Sequence, residues 1–510
     1  MNDKLLSLAL TIILAFCLAC SKPENTSTEQ FDIFIKGAQV LDGTGAPPFY
    51  ANILVKNGLI QKIEQDTSKQ FQADELINAK GKILTPGFID THAHGNPLET
   101  PDFRNFLAMG VTTIFLGQDG SSPSTADISE WMDKVDASQL GPNIGMFVGH
   151  GTLRMLSGVK YQTTPKENDL AKMDSLLQMA MDAGCFGLST GLEYNPGYLA
   201  DSLELLGLAK IVGENGGMIM SHMRNEDDDA MERSIDELLL QGSYCPVHIS
   251  HIKVVYAKGE ERANEILEKL EISRNEGKTI TADIYPYEAS YTGISILFPD
   301  WAKAPANYEE VVKNRRTELE NYLRNRVNKR NGPEATLIGS GPYSGKNLAE
   351  IAVMLKKPFE KVLVDDIGPS GTSAAYFVMD ETVMKTFLKA PFINVCSDGS
   401  PNSSHPRGYG TFAKIIENYV MKDRLLTLPE AIHKMTGMPA KTVGITDRGL
   451  IKEGYKADLL VFQPGEVKAK ATYEKADQLA EGFDLVIVNG EITKSGNKFS
   501  EGNGQIIKKK

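Results

Sequence analysis

Between Phe31 and about Pro86, short apolar runs alternate with polar and turn residues: "FDIFIKGAQVLDG", "ANILVKNGLIQKIE" and "ADELINAKGKILTPG". Runs of this length bounded by turn signals predict β-strands. Asp42-Gly43 and Asn57-Gly58 supply the turn signals between them. A second β-rich group, "GLIKEGYKADLLVFQP" and "FDLVIVNGEITKSG", lies at the far end of the chain. Neither group makes a full sandwich alone. The economical arrangement is one small β-sandwich domain built from both ends, residues 31–85 plus 447–510.

The middle has another rhythm, in which short apolar runs alternate with longer segments of helical period. Eight such runs follow one another: "PGFIDTHAH", "GVTTIFLGQDG", "NIGMFVGHG", "GCFGLSTG", "GGMIMSHMRNE", "CPVHISHIK", "TITADIYPYEAS" and "FINVCSDGS". Amphipathic stretches such as "DLAKMDSLLQMAMDAG" and "MERSIDELLLQG" come between them. Eight βα units predict an α/β fold, a (β/α)8 (TIM) barrel over residues 86–446. Residues 291–390, between the seventh and eighth runs, are too long for a loop, and "YEEVVKNRRTELENYLRNRVNKR" gives them a charged helix of their own. They predict an insertion that caps one face.

Composition narrows the partners. The 510-residue chain carries a net charge of −12 and no basic cluster beyond its closing lysines, which argues against nucleic acid. "MNDKLLSLALTIILAFCLAC" has a basic start and an apolar stretch too short for a comfortable span, the pattern of a secretory signal over residues 1–19. Its end resembles a bacterial lipobox, with Ala19 before a lipidated Cys20 and Ser21 after it. Cys17 stands where that pattern usually has Leu. Residues 20–30 form a polar tether. The expectation is an exported protein held by lipid to a bacterial membrane, the outer membrane on its periplasmic side; an ordinary secretory signal or an uncleaved anchor is the alternative. The remaining cysteines, Cys185, Cys245 and Cys396, are odd in number and lie at or near apolar runs, so they read as small buried hydrophobes.

In such a barrel the chemistry gathers at the C-terminal strand ends. The chain has eight histidines, and His92, His94, His150, His222 and His251 each close one of the runs. His92 and His94, two apart, leave a strand on the same side, as does Asp90. With His222, His251 and the Asp398 of "VCSDGS", they bring imidazole and carboxylate to four separate strands. That is a donor set for Zn2+ or a related ion. Asp119 ends the second run, in "GQDG".

The order H-x-H, His, His, Asp resembles the amidohydrolase superfamily. The stretches "VGHGTLR", "GLSTGLEYNPG", "SHMRNE", "PVHISHIK", "DIYPYEAS" and "HPRGYGTF" are similar to the D-aminoacylase (N-acyl-D-amino-acid deacylase) family. The resemblance implies that His92, His94, His222, His251 and Asp398 ligate one or two Zn2+ ions, with Asp398 also the general base. His248 competes with His251, which fits better because it is nearer the strand end and occupies the family's place in "ISH". Asp119 stands where the family has a Cys thiolate; the sequence leaves open whether it bridges two ions or supports one. The fourth run contains no Lys, against a carboxylated-lysine site of the hydantoinase or dihydroorotase type.

The implied reaction is metal-dependent hydrolysis of the linear amide of an N-acyl-D-amino acid, or of a dipeptide ending in a D-residue. Lys253, Arg407, Tyr285 and Ser290 resemble a clamp for the α-carboxylate, with Tyr194 and Arg154 weaker candidates. His150 reads as part of a loop hydrogen-bond network. The alternatives are another amidase or esterase of the superfamily and a non-catalytic binding lipoprotein on the same scaffold.

Overall fold

The two β groups pair in a single sheet. The computed structural model describes residues 29–509, so the signal, Cys17 and the lipidation site Cys20 lie outside the described residues. Gln30–Val40 pairs antiparallel with Phe49–Lys56, with Ile35 opposite Ile53. Ile83–Pro86 pairs antiparallel with Leu459–Phe462, with Leu84 opposite Val461, which joins the N-terminal strands to the C-terminal ones. The sheet has nine strands. Ile35, Val40, Ile53, Leu84, Val461 and Ile487 come from both ends of the chain and form one core. Asn57 and Gly58 turn the second hairpin with φ of 53° and 71°, the left-handed pair that a two-residue hairpin requires.

Eight parallel barrel strands follow: Phe88–Asp90, Val111–Leu116, a third split into Asn143–Met146 and Val148–Gly149, Gly187–Gly191, Met218–His222, Val247–Ile249, Ile280–Ile284 and Ile393–Val395. The fold is a (β/α)8 barrel with a small β domain. First and eighth strands are tied at their ends, where the Asp398 amide donates to the His92 carbonyl at 2.9 Å. The helices cover the strands with one apolar stripe each. In Glu167–Asp182 the buried residues are Met173, Leu176, Leu177, Ala180 and Met181, spaced by three and four. Cys185, Cys245 and Cys396 are free and buried.

Two boundaries differ from the sequence reading. Ile506–Ile507 leaves the β domain and pairs parallel with the third barrel strand, Ile506 opposite Ile144. Helix Glu381–Lys389, assigned to the insertion from sequence, belongs to the barrel. Asp380 caps its first turn, and Val383, Met384, Phe387 and Leu388 enter the main core. The insertion before it has its own core, in which Leu319, Leu323 and Val327 of helix Tyr308–Lys329 meet Leu297, Phe298, Ile338 and Tyr376. Its three-stranded sheet starts at Ala289–Gly293, where Ser290 lies opposite Tyr376.

Candidate metal centre

The second strand ends in a turn that only small neighbours allow. Gly117 has φ 81°, and a Cβ there would lie 1.9 Å from the Phe147 carbonyl oxygen. A Cβ at Gly191 would lie 2.1 Å from the carbonyl oxygen of Asp119. The Ser189 hydroxyl accepts from the Gly120 amide at 3.1 Å, and buried Gln118 donates to the Thr91 carbonyl at 2.9 Å. Asp119 is thereby held in the left-handed region at φ 54°, as are His251 at 39° and Asp398 at 48°. Non-glycine residues enter that region at a cost, and such residues gather at functional sites.

The first strand ends at Asp90, and His92 and His94 stand just beyond it. The buried Asp90 carboxylate accepts from the amides of His92 at 3.2 Å and Ser397 at 3.0 Å, tying the first strand end to the eighth. The His92 and His94 rings are 5.2 Å apart, and His251 is 4.8 Å from His92. Asp119 sits among them. Its Oδ1 is 3.3 Å from His92 Nε2, 3.2 Å from His251 Nε2 and 3.9 Å from His222 Nδ1, while Oδ2 is 3.4 Å from His94 Nε2. Asp398 Oδ1 is 3.1 Å from His94 Nε2. Two donor groups share Asp119, His92–His94–Asp119–Asp398 and Asp119–His222–His251, and a third, Glu193–His222–Glu226, joins them through His222.

The donors fit a metal. His92 is wholly buried; its Nδ1 has no hydrogen-bond partner, and its Nε2 meets Asp119 at 3.3 Å without the geometry of a hydrogen bond, a costly condition that a cation relieves. Nitrogen and carboxylate donors at this mixture suit Zn2+. Burial works against the charge of both carboxylates. His92 and His251 around Asp119, and Arg407 and His251 around Asp398, outweigh it and hold both carboxyls below the ordinary range. Burial lowers His94 too, but Asp119 and Asp398 prevail and raise it to about 9.

His248 stands outside the donor groups. Its Nδ1 is 2.7 Å from Thr281 Oγ1 and its Nε2 is 3.0 Å from Asp283 Oδ2, and of the two sixth-strand imidazoles it is His251 that joins Asp119 and His222. Arg154 is a correction. Its Nη1 lies 2.8 Å from both oxygens of Glu204, which His150 also meets at 2.7 Å. Arg154 is wholly buried there, away from the cavity over the donors, because its guanidinium is consumed in tying the third-strand helix to Ser202–Glu214. His150 is in a hydrogen-bond network, as its sequence context suggested.

The cavity, of about 350 Å3, is lined by Lys253, Arg407, Tyr285, Ser290 and Tyr194, as well as by His94, Asp119, His222, His251 and Asp398. Arg407 Nη1 pairs with Asp398 Oδ2 at 2.7 Å, and its guanidinium lies 4.8 Å from the Tyr285 ring. Burial pushes the Tyr285 phenol up to about 12, which keeps it a donor. Two carboxylates went unnoticed in the sequence. Glu226 Oε1 is 2.8 Å from Lys253 Nζ and 3.4 Å from His251 Nδ1, and although burial opposes it, Lys253 and His222 bring its carboxyl down to about 2. Glu193 Oε2 is 3.1 Å from His222 Nε2. That contact leaves Nδ1 facing the donor group, the orientation that an outer carboxylate imposes on a metal-binding imidazole. Both lie in the quoted stretches "SHMRNE" and "GLEYNPG"; Glu226, four residues after His222, was the more visible.

Residues 346–494 match the model of the amidohydrolase family. N-acyl-D-glutamate deacylase of Alcaligenes xylosoxydans xylosoxydans is 31% identical over 491 residues, which cover 91% of this chain and 93% of that protein. The chain belongs to the N-acyl-D-amino-acid deacylase (D-aminoacylase) family of amidohydrolases. N-acyl-D-aspartate deacylase of the same organism is 30% identical, covering 94% of this chain and 95% of its own length. The crystal structure of N-acyl-D-glutamate deacylase from Bordetella bronchiseptica, complexed with zinc and a phosphonate inhibitor, aligns with a TM-score of 0.82 at 31% identity, over 94% of this chain and 100% of that one.

Proposed function

We propose that this chain is a zinc-dependent hydrolase of the linear amide in N-acyl-D-amino acids, including dipeptides that end in a D-residue, and that it releases the free D-amino acid. The observation that carries this reading is the pair of donor groups sharing Asp119 beneath a cavity to which Lys253, Arg407 and Tyr285 bring hydrogen-bond donors. His92, His94, Asp119, His222, His251 and Asp398 hold the ion or ions. When bound, zinc supplies Lewis acidity and a nucleophile of lowered pKa.

This chain's own groups do the rest. Asp398 Oδ1 takes the proton of the attacking water and returns it to the departing amine. Arg407 holds Asp398 Oδ2, so the carboxylate is ionised and oriented when the substrate arrives. Lys253, Arg407, the Tyr285 phenol and Ser290 receive the α-carboxylate, guanidinium and ammonium supplying charge and the hydroxyls direction. Tyr194, whose ring is 4.5 Å from that of His222, forms a further wall. Zinc-loaded protein is expected to hydrolyse members of a panel of N-acetyl-D-amino acids and L,D-dipeptides and to spare the N-acetyl-L forms. No turnover on any D substrate refutes the activity, and turnover on L substrates alone refutes the stereochemistry.

The same proposal places the enzyme outside the cytoplasm, tethered by a lipidated Cys20 to a bacterial membrane and facing the periplasm. The support is the apolar leader, the Ala19-Cys20-Ser21 junction and the polar tether. Among the described residues no helix is long and apolar enough to cross a membrane. Detergent-phase partitioning that survives Cys20→Ala refutes the lipid anchor.

A further inference from the structure

Of the cationic side chains around the cavity, Lys253 is paired with Glu226 at 2.8 Å and Arg407 with Asp398 at 2.7 Å. Arg330 differs. It lines the same cavity, comes from the insertion rather than the barrel, and is 2% exposed. Among the described residues no carboxylate lies within ion-pair distance of it, its Nε is buried without a hydrogen-bond partner, and its guanidinium packs 4.9 Å from the Tyr376 ring. Asp227, which lines the same cavity, is already engaged: its Oδ2 pairs with Arg326 at 3.2 Å and Lys329 at 2.9 Å. A buried guanidinium without an anion is costly, and it persists where something outside the chain supplies one.

Its position relative to the carboxylate clamp is set by the insertion's sheet. Tyr376, which Arg330 packs against, is the direct cross-strand partner of Ser290. The next residue, Tyr291, offers its carbonyl to Arg407 at 3.1 Å. Arg330 and the clamp therefore line one cavity and are linked through neighbouring strands of that sheet.

We propose that Arg330 is a specificity residue that binds a second carboxylate on the substrate. This rests on the hydrolase reading above and deepens it: the preferred substrates are diacids, in which one carboxylate meets Lys253 and Arg407 and the other meets Arg330. The second carboxylate belongs either to the side chain of the D-residue or to the far end of the acyl group. A planar fork donating two hydrogen bonds suits a carboxylate and rejects an amide of the same size.

The test uses the zinc-loaded full chain, with Arg330→Gln, Arg330→Met, which keeps an aliphatic stem against Tyr376, and Arg330→Lys. Wild type is expected to favour N-acetyl-D-glutamate over N-acetyl-D-glutamine, or N-succinyl-D-alanine over N-butyryl-D-alanine, by about tenfold or more in kcat/KM. Whichever pair shows the preference locates the carboxylate. Gln and Met at 330 are expected to abolish it while changing kcat/KM on N-acetyl-D-methionine less than about threefold, and Lys to restore part of it. Calorimetric binding of D-glutamate, glutarate and D-glutamine to the same proteins gives a readout without turnover. Absent hydrolysis with Arg330-dependent binding of D-glutamate or glutarate refutes the activity and keeps this assignment. Equal diacid and monoacid preference in wild type, or diacid binding that Arg330→Gln leaves unchanged, overturns it.

Discussion

Replacing Asp119 with Asn tests the centre most directly. Asn tolerates the left-handed conformation that Asp119 adopts at φ 54° better than other residues, so the change isolates the carboxylate charge from backbone strain. Of the two donor groups that share Asp119, one retains His92, His94 and Asp398, and the other is left with His222 and His251. Two imidazoles and a neutral amide oxygen are a poor site for a dication. The gross Coulomb interaction of unit charges at 4 Å is about 4 kcal/mol at an effective dielectric of 20. If desolvation cancels half of it, roughly 2 kcal/mol remains, or about 30-fold in affinity. Titrating metal-free protein with Zn2+ against a chromophoric chelator, followed by elemental analysis after gel filtration, is expected to show Zn2+ affinity falling by about 30-fold. Unchanged affinity, metal content and kcat in Asp119→Asn refute its role as a metal donor.

Other predictions follow from the same geometry. Glu204→Gln strands the wholly buried Arg154 without its carboxylate, a change worth about 3–5 kcal/mol. With an unfolding entropy of about 1 kcal/mol/K for a chain this long, calorimetry is expected to show a melting temperature lower by ~3–5 °C, with KM for the amide unaltered; a rise in KM without loss of stability returns Arg154 to the substrate site. Lys434 is buried and donates to the carbonyls of Ala390 and Ile393, and burial lowers it to about 8 from 10.5. The unfolded chain then binds the extra proton between pH 8 and 10.5, so stability rises with pH through that window, by about 3 kcal/mol for this group. Wild type is expected to gain ~3 °C on Lys434→Met between pH 7.5 and 10.5 in thermal melts, and a constant difference rejects the shift. Removal of metal by dipicolinate is expected to abolish hydrolysis reversibly, Zn2+ restoring it; activity surviving complete removal, checked by elemental analysis, refutes metal dependence.

By itself the sequence determined the layered plan and most of the donor set. A strand announces itself by local alternation and a helix by a local stripe, so eight βα repeats were readable without any long-range information. Because parallel strands of a closed barrel all end on one face, a His or Asp at the end of each run was already a statement about convergence. His92, His94, Asp119, His222, His251 and Asp398 were legible for that reason. Tertiary structure decided what each side chain touches. Arg154 and Arg407 are both arginines in loop-like motifs, and only packing shows that the first is spent on Glu204 and the second faces the cavity. Choosing between His248 and His251 required Asp283, a residue of the next strand. Helix Glu381–Lys389 looks like the rest of the insertion until Phe387 is seen in the barrel core. Glu193, Glu226 and Arg330 are single charged residues with no period to mark them. Their roles arise from pairings, or from the lack of one, between segments far apart in the chain, and such long-range burial and charge balance exist only once the chain has folded.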